Sequence, residues 1–322
     1  MIRRLLCAVI VVMLLPAFQA QAQPAWPSQP IRIIVPFAPG AFTDVAARLI
    51  AAALTAQLGQ QVVVENRTGA GGTIGTEVVA HAAPDGHTLL LSDNSFAVSA
   101  GLYAKLPYDP VNDFIQVSEV AEAPPLLVAR LGLAAKTLKD LVGLARTRPG
   151  EFTFGSGGQG SSAHLAMELF LNVAGIKMTH VPFRGAAVAM TEVVAGHIDI
   201  AIASLALGMP YVRGGKVQGF AMSGKERSPV LPDVPTFAEA GFPDYNFTYW
   251  WGIAVRATTP PQIVFRLNQE IARAADNPRL KENFLNQGAR AVTGSPAEFT
   301  QRVHEEIKVW KDVIARVGVK VE

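Results

Sequence analysis

Short β-branched runs and longer stretches of helical apolar spacing follow each other along this chain. Ile31 to Val35 is typical of a strand, and residues 44–58 then repeat apolar side chains at helical spacing before Gly59. The same patterns predict later strands at 62–64, 88–91, 124–128, 178–182, 198–202, 219–223 and 250–255, and later helices at 138–146, 188–194, 262–275 and 296–315. Alternation of strand and helix predicts an α/β fold in which mainly parallel sheets are flanked by helices.

The length of 322 residues suggests two domains, and the pattern places two crossings between them. A strand that starts near Pro124 leaves the first block, and the strand at 250–255 returns to it after the proline-rich segment 229–243. We therefore predict one lobe from residues 23–124 and 249–322, and a second lobe from residues 125–248. In open α/β sheets, ligands bind where strand ends meet helix starts, which here would be the cleft between the lobes.

Residues 1–22 have the pattern of a secretory signal peptide. Arg3 and Arg4 precede an apolar run at 5–15 that is too short to span a bilayer, and Ala20-Gln21-Ala22 offers small residues for cleavage. We expect the mature chain to start near Gln23. The only cysteine lies inside this signal, so no disulfide and no thiol chemistry are expected in the mature protein. A formal net charge of +2, without long runs of like charge, predicts no nucleic-acid partner.

The glycine-rich stretch between residues 152 and 170 is the strongest candidate for a binding site. After a strand-like start, four glycines and three serines lead into apolar residues at helical spacing. The first amides of a helix have no partner within the helix, and the helix dipole is positive there, so such a turn favours an anion. We predict that this central turn binds a carboxylate, and that Ser161 or Ser162 can also cap the helix. Its candidate ligand residues are Ser156, Gly157, Gly158, Gln159, Gly160 and Ser161.

Nucleotide-binding and hydrolase motifs are not supported by the central turn. Gly155, Gly157 and Gly160 match the spacing G-x-G-x-x-G, but the acidic residue expected about 20 positions later is missing. Gly160 is followed by a serine and not by a lysine, which argues against the phosphate-binding loop of nucleotidases. The sequence also has no G-x-S-x-G elbow.

Two further turns could face the same cavity. The first turn, residues 36–44, leads into a helix, and the backbone amides at residues 40–42 can hold an anion. The carboxylate of Asp44 is expected to stabilise the positive N-terminus of that helix. The candidate ligand residues of the first turn are Phe37, Gly40, Ala41 and Phe42, and the two phenylalanines fit either a pocket wall or ordinary core. The second turn, residues 69–75, contributes Gly71 and Gly72 and fits either an anion-binding nest or a tight turn at a helix start.

Four single positions at strand ends complete the candidate ligand site: Ser92, Asn94, Arg184 and Ser204. An arginine offers two parallel donors to a carboxylate, although a solvated surface role also fits Arg184. Ser204 is neutral, so nothing at that position would pair with a ligand ammonium group.

The sequence offers no nucleophile–base pair and no metal cluster. None of the six histidines belongs to an H-E-x-x-H motif or a close metal pair, and His164 fits a structural or capping role better than that of a base. We therefore predict no catalytic residue, no metal and no cofactor. Two alternatives stay open: an α/β enzyme that uses His164 or Asp93 as a base, and a sensor subunit that presents its closed form to a membrane kinase.

Several motifs spread over nearly all of the mature chain belong together. They occupy residues 26–37, 65–75, 155–165 and 181–185, and the most specific is Arg227-Ser-Pro-Val-Leu-Pro-Asp-Val-Pro-Thr-Phe-Ala-Glu-Ala-Gly241. Taken together, the chain resembles the extracytoplasmic solute receptors of tripartite tricarboxylate transporters, the Bug (Bordetella uptake gene) family.

The resemblance implies a two-lobed type II periplasmic binding protein fold, a periplasmic location and no enzymatic activity. It implies a receptor, expected to be a monomer, that passes a small carboxylate to the membrane components of a tripartite carrier. In such receptors the turns that match residues 37–42 and 156–162 pinch a ligand carboxylate, often through bridging waters.

The chain departs from the family pattern in two places. The family usually has two glycines after the proline of the first turn, whereas Gly40-Ala41 stands here, so the added methyl group is expected to narrow the pocket or change a backbone angle. Family members that bind amino acids are expected to carry an acidic residue near the position of Ser204. Its absence argues for a ligand without an ammonium group.

Overall fold

A computed structural model describes residues 26–317, so the predicted signal at 1–22 lies outside the described residues. The strands, in chain order, are β1 (Ile31–Val35), β2 (Val62–Asn66), β3 (Thr88–Asp93), β4 (Phe114–Ala123), β5 (Pro125–Arg130), β6 (Thr153–Ser156), β7 (Thr179–Pro182), β8 (Ile200–Ser204), β9 (Val217–Met222), β10 (Tyr249–Arg256) and β11 (Arg290–Ala291). They form a six-stranded sheet of order β11-β4-β10-β3-β1-β2 and a five-stranded sheet of order β7-β6-β8-β5-β9.

Helices cover both sheets. They are α1 (Phe42–Leu58), α2 (Thr73–Ala80), α3 (Asn94–Leu102), α4 (Leu138–Thr147), α5 (Ser162–Ala174), α6 (Ala186–Ala195), α7 (Leu205–Arg213), α8 (Pro261–Ala275), α9 (Pro278–Asn286) and α10 (Pro296–Val317), with a 3-10 turn at Ala70–Gly72 before α2. Gly59 ends α1 in the left-handed conformation, with φ of 67°. The predicted α/β fold with two lobes is therefore confirmed.

The sheets are mixed, and the prediction that they are mainly parallel needs correction. β1 pairs in parallel with β2 and β3, and β6 pairs in parallel with β7 and β8. β10 is antiparallel to β3 and β4, and β5 is antiparallel to β8 and β9. β5 and β10 are the strands that enter a sheet from the other lobe. No strand–helix–strand crossover precedes them, so nothing imposes the parallel direction.

The pattern of apolar residues missed the elements that are buried on more than one side. Helix α3 buries seven of its nine residues, including Asn94, Ser95 and Ser99. Because polar residues are buried together with apolar ones, its sequence lacks the alternation of apolar and polar faces that identifies a helix. Strand β4 is buried along most of its ten residues although it contains two glutamates. Helices α7 and α9 were also not predicted.

Two connections join the sheets. Only Pro124 separates β4 from β5, and its carbonyl accepts a hydrogen bond from the Leu205 N–H at the start of α7. The second connection, residues 223–248, packs on α5, where the Tyr245 hydroxyl donates to the Ala166 carbonyl at 3.1 Å and the Phe170 and Phe237 rings lie 5.5 Å apart. The division into lobes at 124/125 and 248/249 stays a prediction.

Gly75 brings helix α2 into direct contact with the first turn. A Cβ on Gly75 would lie 2.7 Å from the Arg67 carbonyl oxygen and 2.9 Å from Cα and Cβ of Pro36. Glycine in the interior of a helix lowers stability relative to alanine. Its presence at position 75 is explained by the close contact with Arg67 and Pro36, which leaves no room for a methyl group. The end of β1 and the start of α2 are therefore held at backbone distance.

We predict that Gly75→Ala lowers the free energy of unfolding by about 1–3 kcal/mol, because the backbone of Arg67 or Pro36 must move. Gly143→Ala in α4 is the matched control, since an added Cβ there meets nothing within 4 Å. That control should raise stability by about 0.5–1 kcal/mol. Urea denaturation measures both, and an equally stabilised Gly75→Ala protein would contradict the close contact.

Candidate ligand-binding site

The first turn is organised by the carboxylate of Asp44. The Gly40 N–H donates to Asp44 Oδ2 at 3.0 Å, and the Asn66 side-chain amide donates to Asp44 Oδ1 at 2.9 Å. Arg48 donates to both carboxylate oxygens, and the Asn66 amide also reaches the Phe37 carbonyl at 2.9 Å. Asp44 thus ties the turn to the end of β2. The predicted role of its carboxylate at the helix start extends to holding the whole turn.

Fewer backbone amides of the first turn are free to bind an anion than the sequence predicts. The Gly40 N–H is already bound to Asp44, so it is not free to hold an anion. Ala41 is the N-cap of α1 and has no side chain that could accept from the first amides, which leaves those of Phe42 and Thr43 to a ligand. Ala41 is exposed, with φ of −66°. Its methyl group is therefore accommodated without changing a backbone angle.

The second turn lies against the first. A Cβ on Gly72 would meet Phe37 and Pro36 at 3.4 Å and the Ser95 hydroxyl at 3.5 Å. Gly71 and Gly72 both have positive φ, 63° and 100°, a conformation that glycine adopts without strain. Gly71 lies beside the hydroxyl of Tyr103, which is 3.2 Å from the position of a Cβ. The turn therefore packs tightly at the start of α2, in agreement with the second of its two predicted roles.

The central turn leads into α5 with its own capping bonds. Ser161 is the N-cap, and its hydroxyl accepts from the His164 N–H at 3.3 Å. The Gly160 N–H donates to His164 Nδ1 at 3.0 Å, and the Ser161 N–H donates to the Gly158 carbonyl at 3.1 Å. The proton of the Ser161 hydroxyl and the amides of Ser162 and Ala163 are left to face a ligand.

The structure brings together a serine and two histidines that the sequence did not connect. His180 Nε2 lies 2.6 Å from the Ser156 hydroxyl, and the His180 ring stacks on His164 with centroids 3.8 Å apart and planes 10° apart. Phe154 stacks on His180 at 4.8 Å. The prediction that no nucleophile–base pair exists is thus wrong as a statement of geometry. Its members are 24 residues apart in the chain and meet because β6 and β7 are neighbours.

This pair is not equipped for nucleophilic catalysis. Ser156 is only 1% exposed, and its hydroxyl also bonds the Gly158 carbonyl and amide inside the turn. Burial, together with the neighbouring His164, lowers the pKa of His180 to about 4, which makes it a weak base at neutral pH. The contacts of Ser156 and His164 are those of residues that fix the shape of the central turn.

Helix α3 links the central turn to the other lobe. A Cβ on Gly160 would lie 1.9 Å from a methyl carbon of Leu102, so the end of α3 is pressed against the turn. The next residue, Tyr103, reaches the second turn at Gly71. The three turns are therefore linked by contacts: the central turn meets Leu102, Tyr103 meets the second turn, and the second turn meets Phe37 of the first.

Aromatic side chains line the first turn where β10 returns. The Phe42 and Trp251 rings lie 4.2 Å apart, and the Trp251 indole N–H donates to the Thr43 hydroxyl at 3.0 Å. The Thr43 hydroxyl donates to Asp93 Oδ2 at 3.3 Å. Sequence analysis did not select Trp251. The run Tyr249-Trp250-Trp251 at the start of the returning strand was its only visible signal.

Ser92 and Asn94 are structural, which corrects their selection as ligand residues. The Ser92 hydroxyl donates to the Gly252 carbonyl at 3.2 Å and is 1% exposed. The Asn94 side chain accepts from the Trp250 N–H and donates to the Thr248 carbonyl and to Glu306. The hydrogen-bonding capacity of Asn94 is used to fix the start of β10.

The remaining candidates lie at the edges of the second lobe. Gln159 and Arg184 are exposed, and Arg184 precedes the start of α6, which packs on the central turn at Gly157. Ser204 is half-buried at the N-cap of α7, beside Pro125 in the neighbouring strand. Their part in binding stays a prediction.

Residues 26–317 contain no group of three side chains placed to hold a metal ion. Within the same range, no helix combines the length and the apolar composition needed to cross a bilayer.

Sequence similarity to known proteins extends over most of the chain. Residues 46–319 match the model of the family described as "Tripartite tricarboxylate transporter family receptor". The chain belongs to this receptor family. A curated relative, Protein BugT of Bordetella pertussis, is 36% identical over 299 residues, which cover 92% of each chain.

Solved structures of similar proteins share the fold. A protein from R. palustris, solved with adipate, is 33% identical with a TM-score of 0.83 over 91% of this chain and 98% of that one. MatC from Rhodopseudomonas palustris, with bound malate, is 35% identical with a TM-score of 0.81 over 90% of this chain and 100% of that one. The periplasmic binding protein BugD is 29% identical with a TM-score of 0.82 over 92% of this chain and 100% of that one. The predicted resemblance and the periplasmic binding protein fold are thus confirmed.

The pH dependence of stability should reveal the Asp44 contacts. Burial alone would raise the pKa of Asp44, but hydrogen bonds from Arg48, the Gly40 amide and Asn66 lower it below its usual value. A lowered folded-state pKa stabilises the protein above the unfolded-state pKa of about 4, and this contribution is lost as the pH falls through the folded-state value.

We therefore predict that Asp44→Asn lowers the free energy of unfolding by about 1–2 kcal/mol at pH 7, with the difference from wild type shrinking below about pH 4. Urea denaturation at pH 7 and pH 3 measures this. Asp233→Asn, at an exposed position, should match wild type at both values. A deficit that stays constant with pH would show that the charge of Asp44 is not what stabilises the turn.

Proposed function

We propose that this chain is a periplasmic solute receptor that captures a small carboxylate for a tripartite uptake system. The observation that carries the proposal is the central turn, where Ser161 caps α5, the first amides of the helix have no partner within it, and Gly160 contacts Leu102 at the end of α3. Support also comes from two related receptors that were solved with adipate and with malate.

The chemistry of the central turn suits a carboxylate that is bound and released unchanged. The Ser162 and Ala163 amides and the positive end of the helix dipole stabilise negative charge without a basic side chain. Because most of the contact is made by backbone and by one hydroxyl, bridging waters can adapt the site to different carboxylates.

Ligand capture in this proposal uses relative motion of the two lobes. The lobes are joined by Pro124 and by residues 223–248, and a ligand that touches both sides favours the closed arrangement by its differential affinity. The closed form is the one that membrane components of the carrier would recognise. Export through the signal at 1–22 and a monomeric state belong to the same proposal.

The enzyme alternative finds little support in the candidate bases. His164 uses its Nδ1 to accept the Gly160 amide and is 1% exposed. Asp93 is the N-cap of α3, where its carboxylate accepts from the Ser95 amide. In both residues, an atom that a catalytic base would use to accept a proton already accepts a structural hydrogen bond.

Calorimetry of the mature protein with mono-, di- and tricarboxylates and aromatic acids tests the proposal. We expect one-to-one binding of at least one carboxylate, because the amide end of α5 accepts a single negative group, and NMR should recover the ligand unchanged. Failure of every carboxylate, with binding of a sugar or a cation instead, would reject the proposal. Conversion of the ligand would favour the enzyme alternative.

Ser161→Ala should weaken carboxylate binding by about 1–2 kcal/mol, because the hydroxyl that caps α5 also meets the ligand. Thr137→Ala is a matched control, since Thr137 caps α4 through a comparable bond to the Asp140 amide. Both variants lose an N-cap and some stability, but only Ser161→Ala should lose affinity in calorimetry. Unchanged affinity would leave Ser161 with a capping role alone.

A further inference from the structure

Helix α5, which follows the central turn, begins with a variant of the capping box. In a capping box, the cap side chain accepts from the amide of the third helical residue, and the side chain of that residue accepts from the amide at the cap. In α5 the Ser161 hydroxyl accepts from the His164 amide, and His164 Nδ1 accepts from the Gly160 amide at 3.0 Å. An imidazole therefore takes the place at which glutamate or glutamine is usual.

Helix α4 shows the ordinary arrangement elsewhere in the chain. The Thr137 hydroxyl accepts from the Asp140 amide, and Asp140 Oδ2 accepts from the Thr137 amide at 2.9 Å. A carboxylate in the first turn also stabilises the positive end of the helix dipole. An acidic residue at position 164 would thus suit the helix, so the choice of histidine needs another explanation.

The hydrogen bonds around His164 are those of a neutral imidazole. Nδ1 accepts from the Gly160 amide, so it carries no hydrogen, and Nε2 faces a Glu168 carboxylate oxygen at 3.6 Å, where a ring N–H is favoured. His164 is 1% exposed and stacks on the His180 ring, with centroids 3.8 Å apart. Burial lowers the pKa of His180 to about 4, so this second ring is also neutral at pH 7.

Negative charge at position 164 would act directly on an anion at the start of α5. The side chain belongs to the first helical turn, together with the Ser162 and Ala163 amides that have no partner within the helix. Like charges within one helical turn repel each other, and more strongly where water is partly excluded. The acidic residue of α5, Glu168, lies one turn further from the helix start.

We propose that His164 is a positioning residue for carboxylate binding, which holds the Gly160 amide, and thereby the central turn, without placing negative charge beside the ligand. The inference rests on the proposed function and explains why an imidazole completes the cap of this helix. His164 acts through Gly160 and does not itself contact the ligand, because its two ring nitrogens face Gly160 and Glu168.

Two variants of equal shape separate the hydrogen-bond acceptor from its charge. The side-chain oxygen of asparagine or aspartate can take the place of Nδ1 and accept from the Gly160 amide, but only aspartate is ionised. The probes are acetate, succinate, citrate and benzoate, each titrated by calorimetry into the mature protein at pH 7. We expect His164→Asn to bind the tightest probe within about threefold of wild type, and His164→Asp to bind it at least about tenfold more weakly.

Asp140→Asn is the control, since it removes the charge from the capping box of α4 and should leave the affinity unchanged. Urea denaturation establishes that each variant is folded. Equal affinities of His164→Asn and His164→Asp would overturn the requirement for a neutral group. A loss greater than about tenfold in a folded His164→Asn protein would overturn the role of the acceptor.

Nitrogen NMR of the wild-type protein tests the same geometry without a ligand and without a variant. At pH 7 we expect His164 Nδ1 to have the chemical shift of an unprotonated imidazole nitrogen, and Nε2 that of a protonated one. A protonated Nδ1 would overturn the proposal. If none of the four probes binds to the wild type, the proposed function is rejected instead, and the nitrogen shifts still report whether His164 holds Gly160.

Discussion

The site depends on close packing between backbone segments that leaves no space for side chains. Gly75 touches the Arg67 carbonyl and Pro36, Gly157 touches the Ala186 amide, and Gly160 touches Leu102. The Gly75 contacts fix the first and second turns relative to each other, and the Gly157 contact fixes the central turn on α6, before any ligand arrives. A helix end that is held in place in this way meets an anion without the entropic cost of ordering a loop.

A second constraint lies behind the cleft, at the point where both connections enter the first lobe. Asn94 and Glu306 hold the start of β10 through the Thr248 carbonyl, the Trp250 amide and the Trp250 indole N–H. Arg302 bridges Glu306 to Glu119 and Glu122 at the end of β4. Burial raises the pKa of Glu119 to about 7, although the charge of Arg302 opposes this. The network binds the two crossing strands to helix α10.

Local features of the sequence were sufficient for most of the fold and for the central turn. The β-branched run of β1 and the glycine-rich segment before α5 can each be recognised from a few consecutive residues. Asn94 was assigned wrongly because its partners lie 154, 156 and 212 residues away, so its capacity was already filled by segments that no local pattern relates to it. The Ser156–His180 contact was missed for the same reason. Helix α3 was missed because it is buried nearly all round.

Trp251 is placed where its intrinsic fluorescence depends on the position of the first turn. Its ring lies against Phe42 and its indole N–H bonds Thr43, so any shift of the first turn changes the polarity around the chromophore. Trp250, on the opposite face of the same strand, is fully buried against Phe299 and α10. The emission of the unlabelled chain sums four tryptophans, and a change that accompanies movement of the first turn would come from Trp251.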